Sequence, residues 1–109
     1  NVQYLQWVQD VAQSHWKSVA PIEWIDKYAW VALNHFIEYK KPAILNDRLI
    51  IKTHVGECAG PKYQRLVRIF NQTTEDLLVQ SASWWCLLDM TSKKPLRVTP
   101  EIRIAFENA

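Results

Sequence analysis

Between residues 2 and 16 apolar side chains recur at helical spacing. Tyr4, Trp7, Val8, Val11 and His15 form one stripe, and Leu5, Val8, Ala12 and Trp16 form the stripe beside it. Two adjoining stripes make a broader apolar surface than a helix on the outside of a domain carries, so this helix is expected to be enfolded. Asn1 reads as its start and Pro21 as the stop beyond it. The period then changes to two. Residues 28–41 set Tyr28, Trp30, Ala32, Asn34 and Phe36 against Ala29, Val31, Leu33, Ile37 and Tyr39, rich in β-branched and aromatic residues, which predicts a long strand ended by Pro42. After a turn at Asn46-Asp47, Leu49, Ile51, Thr53 and Val55 alternate with Ile50, Lys52 and His54 in a second strand closing at Gly56 or at Gly60-Pro61. Tyr63, Arg65, Val67 and Ile69 alternate with Leu66, Arg68 and Phe70 in a third. Residues 71–76 read as a hairpin connection into a fourth strand, 77–89, apolar on both faces in its middle. There Trp84 and Trp85 point opposite ways, so one face is expected to meet the helix and the other a partner or a loop. Thr99-Pro100-Glu101 carries the marks of a helix start, with Thr as N-cap, Pro in the first position and an acid in the first turn, and predicts a terminal helix over 100–108.

Composition narrows what this pattern can be. At 109 residues, with 49% apolar and 22% charged residues, the chain suits one globular domain with one core. A net charge of +2, with Lys and Arg dispersed, argues against a surface that tracks nucleic-acid phosphates. Cys58 and Cys86 lie far apart with no His at ligand spacing, which leaves a disulfide framework and a metal site unsupported and reduced thiols as the simple reading. No apolar run reaches the roughly 20 residues of a membrane span. Asn71-Gln72-Thr73 fits the glycosylation tripeptide without a context that would use it.

A long helix followed by antiparallel strands predicts an α+β domain in which a curved sheet wraps a helix. Three stretches then become familiar: Asn1-x-x-Tyr4-Leu5-x-Trp7; Ile37-Glu38-Tyr39-Lys40-Lys41-Pro42-Ala43 ahead of Asp47-x-Leu49-x-Ile51-x-Thr53; and Trp85-x-Leu87-Leu88-Asp89-x-Thr91-x-x-x-Pro95-x-Arg97-Val98. In this order they resemble the hotdog-fold thioesterases, both the 4-hydroxybenzoyl-CoA thioesterase family and the plant-type acyl-ACP thioesterases. The resemblance covers nearly the whole chain and implies a single hotdog domain over 1–109, whose first strand and catalytic acid are expected before Asn1. It further implies a cytoplasmic homodimer or dimer of dimers that hydrolyses acyl-CoA or acyl-ACP thioesters, without metal or bound cofactor, since coenzyme A or phosphopantetheine arrives with the substrate. The site would lie where the amino end of one central helix meets strands of the neighbouring subunit. First-turn N–H groups, unpaired and at the positive end of the helix dipole, can stabilise an oxyanion there. Asn1 stands where these families place that donor.

The visible candidates each carry a plainer reading. Asp10 would be a helix carboxylate activating water, against a solvated helix-face acid. Tyr4 would hydrogen-bond near the thioester, against core packing, and Gln6 or Gln9 could orient water, against polar surface. Trp7 is counted with the substrate-binding residues. Trp24, Trp30, Trp84 and Trp85 join it as possible walls of an acyl tunnel, against packing. Glu38 would face a partner subunit, against a solvated pair with a Lys. Lys62 and Arg65, after the Gly60-Pro61 turn, would attract coenzyme A phosphates or an acidic carrier protein, against keeping a strand soluble. The acyl-ACP relatives have a catalytic Glu just beyond the Glu-Tyr-basic-basic run, where Pro42 stands here. His15, His35 and His54 read as polar structural residues. From other classes, a non-catalytic acyl-thioester or lipid-binding hotdog module and a hotdog dehydratase remain as alternatives.

Overall fold

The computed structural model describes the backbone of residues 2–42 and 48–108, and side chains there from residue 6 onward. Asn1, the side chain of Tyr4 and the Asn46-Asp47 turn lie outside the described residues. Helix α1 (Val2–Val19) leads into a short α2 (Ile22–Lys27), strands β1 (Tyr28–Tyr39), β2 (Leu49–Ala59), β3 (Lys62–Asn71) and β4 (Leu77–Asp89), and a closing α3 (Pro100–Glu107). The strands form one antiparallel sheet in the order β1-β4-β3-β2, so β1 pairs with the last strand rather than with its neighbour in sequence. This is the expected α+β hotdog architecture, a long helix laid along a curved sheet.

Helix α1 buries Val8, Ala12 and Trp16, one residue per turn, and half-buries Trp7, Val11, His15 and Val19 beside them. The sheet encloses that side only. Gln6, Asp10, Gln13, Ser14 and Lys17 are exposed. The helix ends at Val19, before the expected stop at Pro21, and α2 was absent from the sequence reading. Six residues are too few to show a period, and only Pro21 at its N-cap marks the start.

One face of β4 carries Val79, Ser81, Ser83, Trp85 and Leu87, each at least nine-tenths buried, and this row lies towards α1. Its partners in β3 are Ile69, Val67, Arg65 and Tyr63. The β1 side departs from strict alternation. The register shifts between Ala32 and Asn34, so Leu33 is an extra residue. Trp30 and Ala32 therefore share the helix-facing row with His35 and Ile37, while Asn34 and Phe36 turn to the outer face. Asn34 and Phe36 were expected beside Trp30; the bulge reverses them.

The core has two parts. Under the first half of α1, Val8 packs with Val67, Ile69, Leu78 and Val79; under the second half, Trp16 packs with Tyr63, Leu87, Val98, Ile102 and Phe106. The second part depends on α3. Val98 N–H donates to Gly60 O at 2.9 Å and Leu96 N–H to Leu87 O at 2.9 Å, which straps the segment before α3 onto the sheet. Thr99 Oγ1 then accepts from Ile102 N–H at 3.2 Å, the N-cap its sequence announced. Gly60 takes φ +59 in the tight β2–β3 connection, a left-handed conformation that glycine adopts without strain. The glycosylation tripeptide is explained locally: Asn71 Oδ1 accepts from the N–H groups of Thr73 and Thr74 and builds the β3–β4 turn.

Candidate functional site

Two polar groups interrupt the apolar seam between α1 and the sheet. The first crosses its middle. His35 on β1 and Ser83 on β4 are register partners, and His35 Nδ1 lies 2.7 Å from Ser83 Oγ, with Gln9 Nε2 of α1 at 3.5 Å from the other ring nitrogen. Burial holds the His35 imidazole below its ordinary value of 6.5, so it is mainly neutral at pH 7. A neutral ring that donates from Nδ1 to Ser83 keeps a lone pair on Nε2 to accept from Gln9.

The second group lies one helical turn and more further along. Arg65, 5% exposed, reaches from β3 under α1 and donates through Nη1 to His15 Nδ1 at 2.6 Å and to Thr53 Oγ1 at 3.2 Å. Its guanidinium carbon lies 5.0 Å from the centre of the Phe106 ring, and His15 meets the same ring edge-on at 5.1 Å. Burial pushes the Arg65 pKa down to about 10, and burial followed by the Arg65 charge keeps His15 below 6.5. A half-open cavity of ≈ 30 Å³ adjoins them, with Ala12, Gln13, Trp16, Arg65, Trp85 and Phe106 in its wall. That is room for about two waters.

The residues singled out in the sequence are dispersed. Asp10 is exposed and accepts from Gln6 Nε2 at 2.8 Å. Trp7 is half-buried against the first part of the core. Glu38 stands on the outer face of β1, paired with Lys40 at 2.9 Å, both side chains well exposed. Lys62 is exposed on the outer face of β3 opposite Cys86, whereas Arg65, three residues on, is buried on the inner face. The two cations expected to act together therefore sit on opposite sides of the sheet. The tryptophans divide as well: Trp24 stacks on Trp16 at 6.1 Å, Trp30 meets Trp16 edge-on at 5.7 Å, Trp85 faces the helix and Trp84 lies on the other face. Cys58 and Cys86 are free thiols, and burial pushes the Cys58 thiol up. Among the described residues no group of His, Cys, Asp or Glu is arranged to hold a metal ion. No described helix is long and apolar enough to cross a membrane. Sequence reasoning missed both polar groups, although Arg65 already stood in the apolar row Tyr63, Val67, Ile69.

The family model of the acyl-ACP thioesterase N-terminal domain matches residues 2–106. The chain belongs to this acyl-ACP thioesterase family. Solved structures repeat its fold. The YbaW probable thioesterase of Escherichia coli superimposes with a TM-score of 0.85 at 21% identity, covering 98% of this chain and 82% of that one. Slr0204, a 1,4-dihydroxy-2-naphthoyl-CoA thioesterase from Synechocystis, gives 0.79 at 16% identity, covering 97% and 80%. A thioesterase complexed with coenzyme A and Zn from Thermus thermophilus gives 0.80 at 11% identity, covering 99% and 77%. None of the curated proteins matches the chain in sequence. Within the acyl-ACP thioesterase fold, α1 is the central helix, and no acidic side chain in its first turn offsets the positive end of its dipole.

Proposed function

We propose that this acyl-ACP thioesterase domain hydrolyses acyl thioesters carried on acyl carrier protein or coenzyme A, as a homodimer or a dimer of dimers in the cytoplasm. The family match over residues 2–106 carries the reading. The chemistry follows from α1. The first N–H groups of an α-helix have no partners within it, and at Val2 and the residues after it they can receive the thioester carbonyl oxygen as it becomes an oxyanion. Water adds to the carbonyl carbon, the C–S bond breaks, and the thiol leaves with a proton. Asn1 and Tyr4 are proposed beside that carbonyl. Asp10 is the described carboxylate on α1, about 12 Å along the axis from Val2 at 1.5 Å per residue, which suits it to a carbonyl presented by a neighbouring subunit better than to one at its own helix tip. Exposed Lys62 is proposed to meet phosphate or an acidic carrier, and Trp7 and Glu38 to contact substrate, whereas Arg65, 5% exposed beneath α1, does not meet phosphate in solvent.

Thiol release from a panel of short, long and aromatic acyl-CoAs and acyl-ACPs tests the proposal. Turnover of at least one class, unchanged by chelators, is expected, because coenzyme A or phosphopantetheine is part of the substrate and no bound cofactor is required. Tight binding of the same thioesters without release would instead assign a non-catalytic acyl-binding module.

A further inference from the structure

Arg65 holds a positive charge where 5% of the residue is exposed, and both hydrogen-bond partners of its guanidinium, His15 and Thr53, are uncharged. Among the described residues no carboxylate pairs with it, and the wall of the adjoining cavity contains no Asp or Glu. Buried charges are ordinarily paired, because an ion taken from water without a counter-charge is costly. The Phe106 face and two neutral acceptors offset part of that cost and leave the charge itself uncompensated. Trp30 and Trp85 also line the wall, although the indole nitrogen of each is buried without a hydrogen-bond partner. The cavity of ≈ 30 Å³ is the size of a carboxylate group, about two water-sized spheres, and exposed Gln13 at its rim gives access from solvent.

We propose that this cavity is a carboxylate-binding site in which the Arg65 guanidinium receives the anion. Ala12 and Trp16 place it about 15 Å or more along α1 from Val2, at 1.5 Å per residue, so it is separate from the helix tip. The carboxylate has two sources: a free short-chain acid, or the distal carboxylate of a dicarboxylic acyl group. Only the second rests on the thioesterase reading.

Calorimetric titration with sodium propionate, with propionamide as the neutral isostere, tests the site on the wild-type chain, on Arg65→Met and on Ala12→Val. Ala12→Val fills the cavity from the helix side and leaves the charge in place. Propionate binding weakened at least about tenfold in either variant, with propionamide not bound, is the expected result. In the wild type, propionate should also raise the His15 pKa followed by NMR while leaving that of His35 in place, since the anion cancels the nearby Arg65 charge. Absence of propionate binding, equal binding of propionamide, or binding unchanged in both variants overturns the proposal. The rate ratio for hexadecanedioyl-CoA over palmitoyl-CoA, chains long enough to span the ~15 Å between the α1 tip and the cavity, identifies the source. A ratio above about ten that collapses in Arg65→Met assigns the acyl tail, and a ratio near one alongside propionate binding assigns the free acid. If neither thioester is cleaved, the hydrolase reading fails and the propionate titration still decides the site.

Discussion

Arg65 of β3 and His15 of α1, fifty residues apart, meet at 2.6 Å beneath the Phe106 ring of α3. This contact ties the helix, the sheet and the terminal helix at one point. Replacing Arg65 with Ala removes the hydrogen bonds to His15 and Thr53 together with the buried stem and its packing on Phe106. A loss of about 2–4 kcal/mol is expected in urea unfolding. Arg65→Lys keeps a charge without the planar fork and should fall between wild type and Arg65→Ala.

Two imidazoles held neutral make stability depend on pH. The pKa values of His15 and His35 are depressed by burial in the folded chain, so below the ordinary value of 6.5 the unfolded chain binds protons that the folded one refuses. Stability should be level from about pH 7 to 8, then fall as pH drops through 6.5 toward the lowered folded values. Asp76 and Asp89, held below their ordinary 3.8 mainly by hydrogen bonds from Lys41 and Ser92 respectively, add a separate loss at more acid pH. Unfolding midpoints between pH 5 and 8 check the first window. His35→Asn and His15→Asn should each flatten it.

The terminal helix is an integral part of the core. Ile102 and Leu87 are fully buried in the same cluster, so Ile102→Ala and Leu87→Ala should each cost about 2–5 kcal/mol by creating a cavity. Thr99→Ala removes the cap and should cost about 1 kcal/mol. Thermal melts of the three variants rank these effects.

The strands were legible because each shows an apolar row at period two, and β4 begins and ends where the turn residues around it say it should. The alternation of β1 could not reveal the inserted Leu33, since a single extra residue leaves composition unchanged and moves only the faces. Short α2 offered too few residues for a helical period. Of the two polar groups at the helix–sheet seam, Arg65 was half legible: its place in the row of Tyr63, Val67 and Ile69 put it inside, and reading it as a surface cation set charge above phase. The pairing of His35 with Ser83, 48 residues away, depends on β1 joining β4 across the sheet, a relation no local pattern contains.

The catalytic role assigned to the start of α1 is open to a backbone test. Proline fits the first helical turn but carries no N–H, so Val2→Pro and Gln3→Pro each delete one potential oxyanion donor while preserving the helix. With kcat for thioester cleavage measured in both variants and folding checked by circular dichroism, at least one should fall by about 10²–10³-fold with the fold intact. Wild-type kcat in both variants would contradict the account.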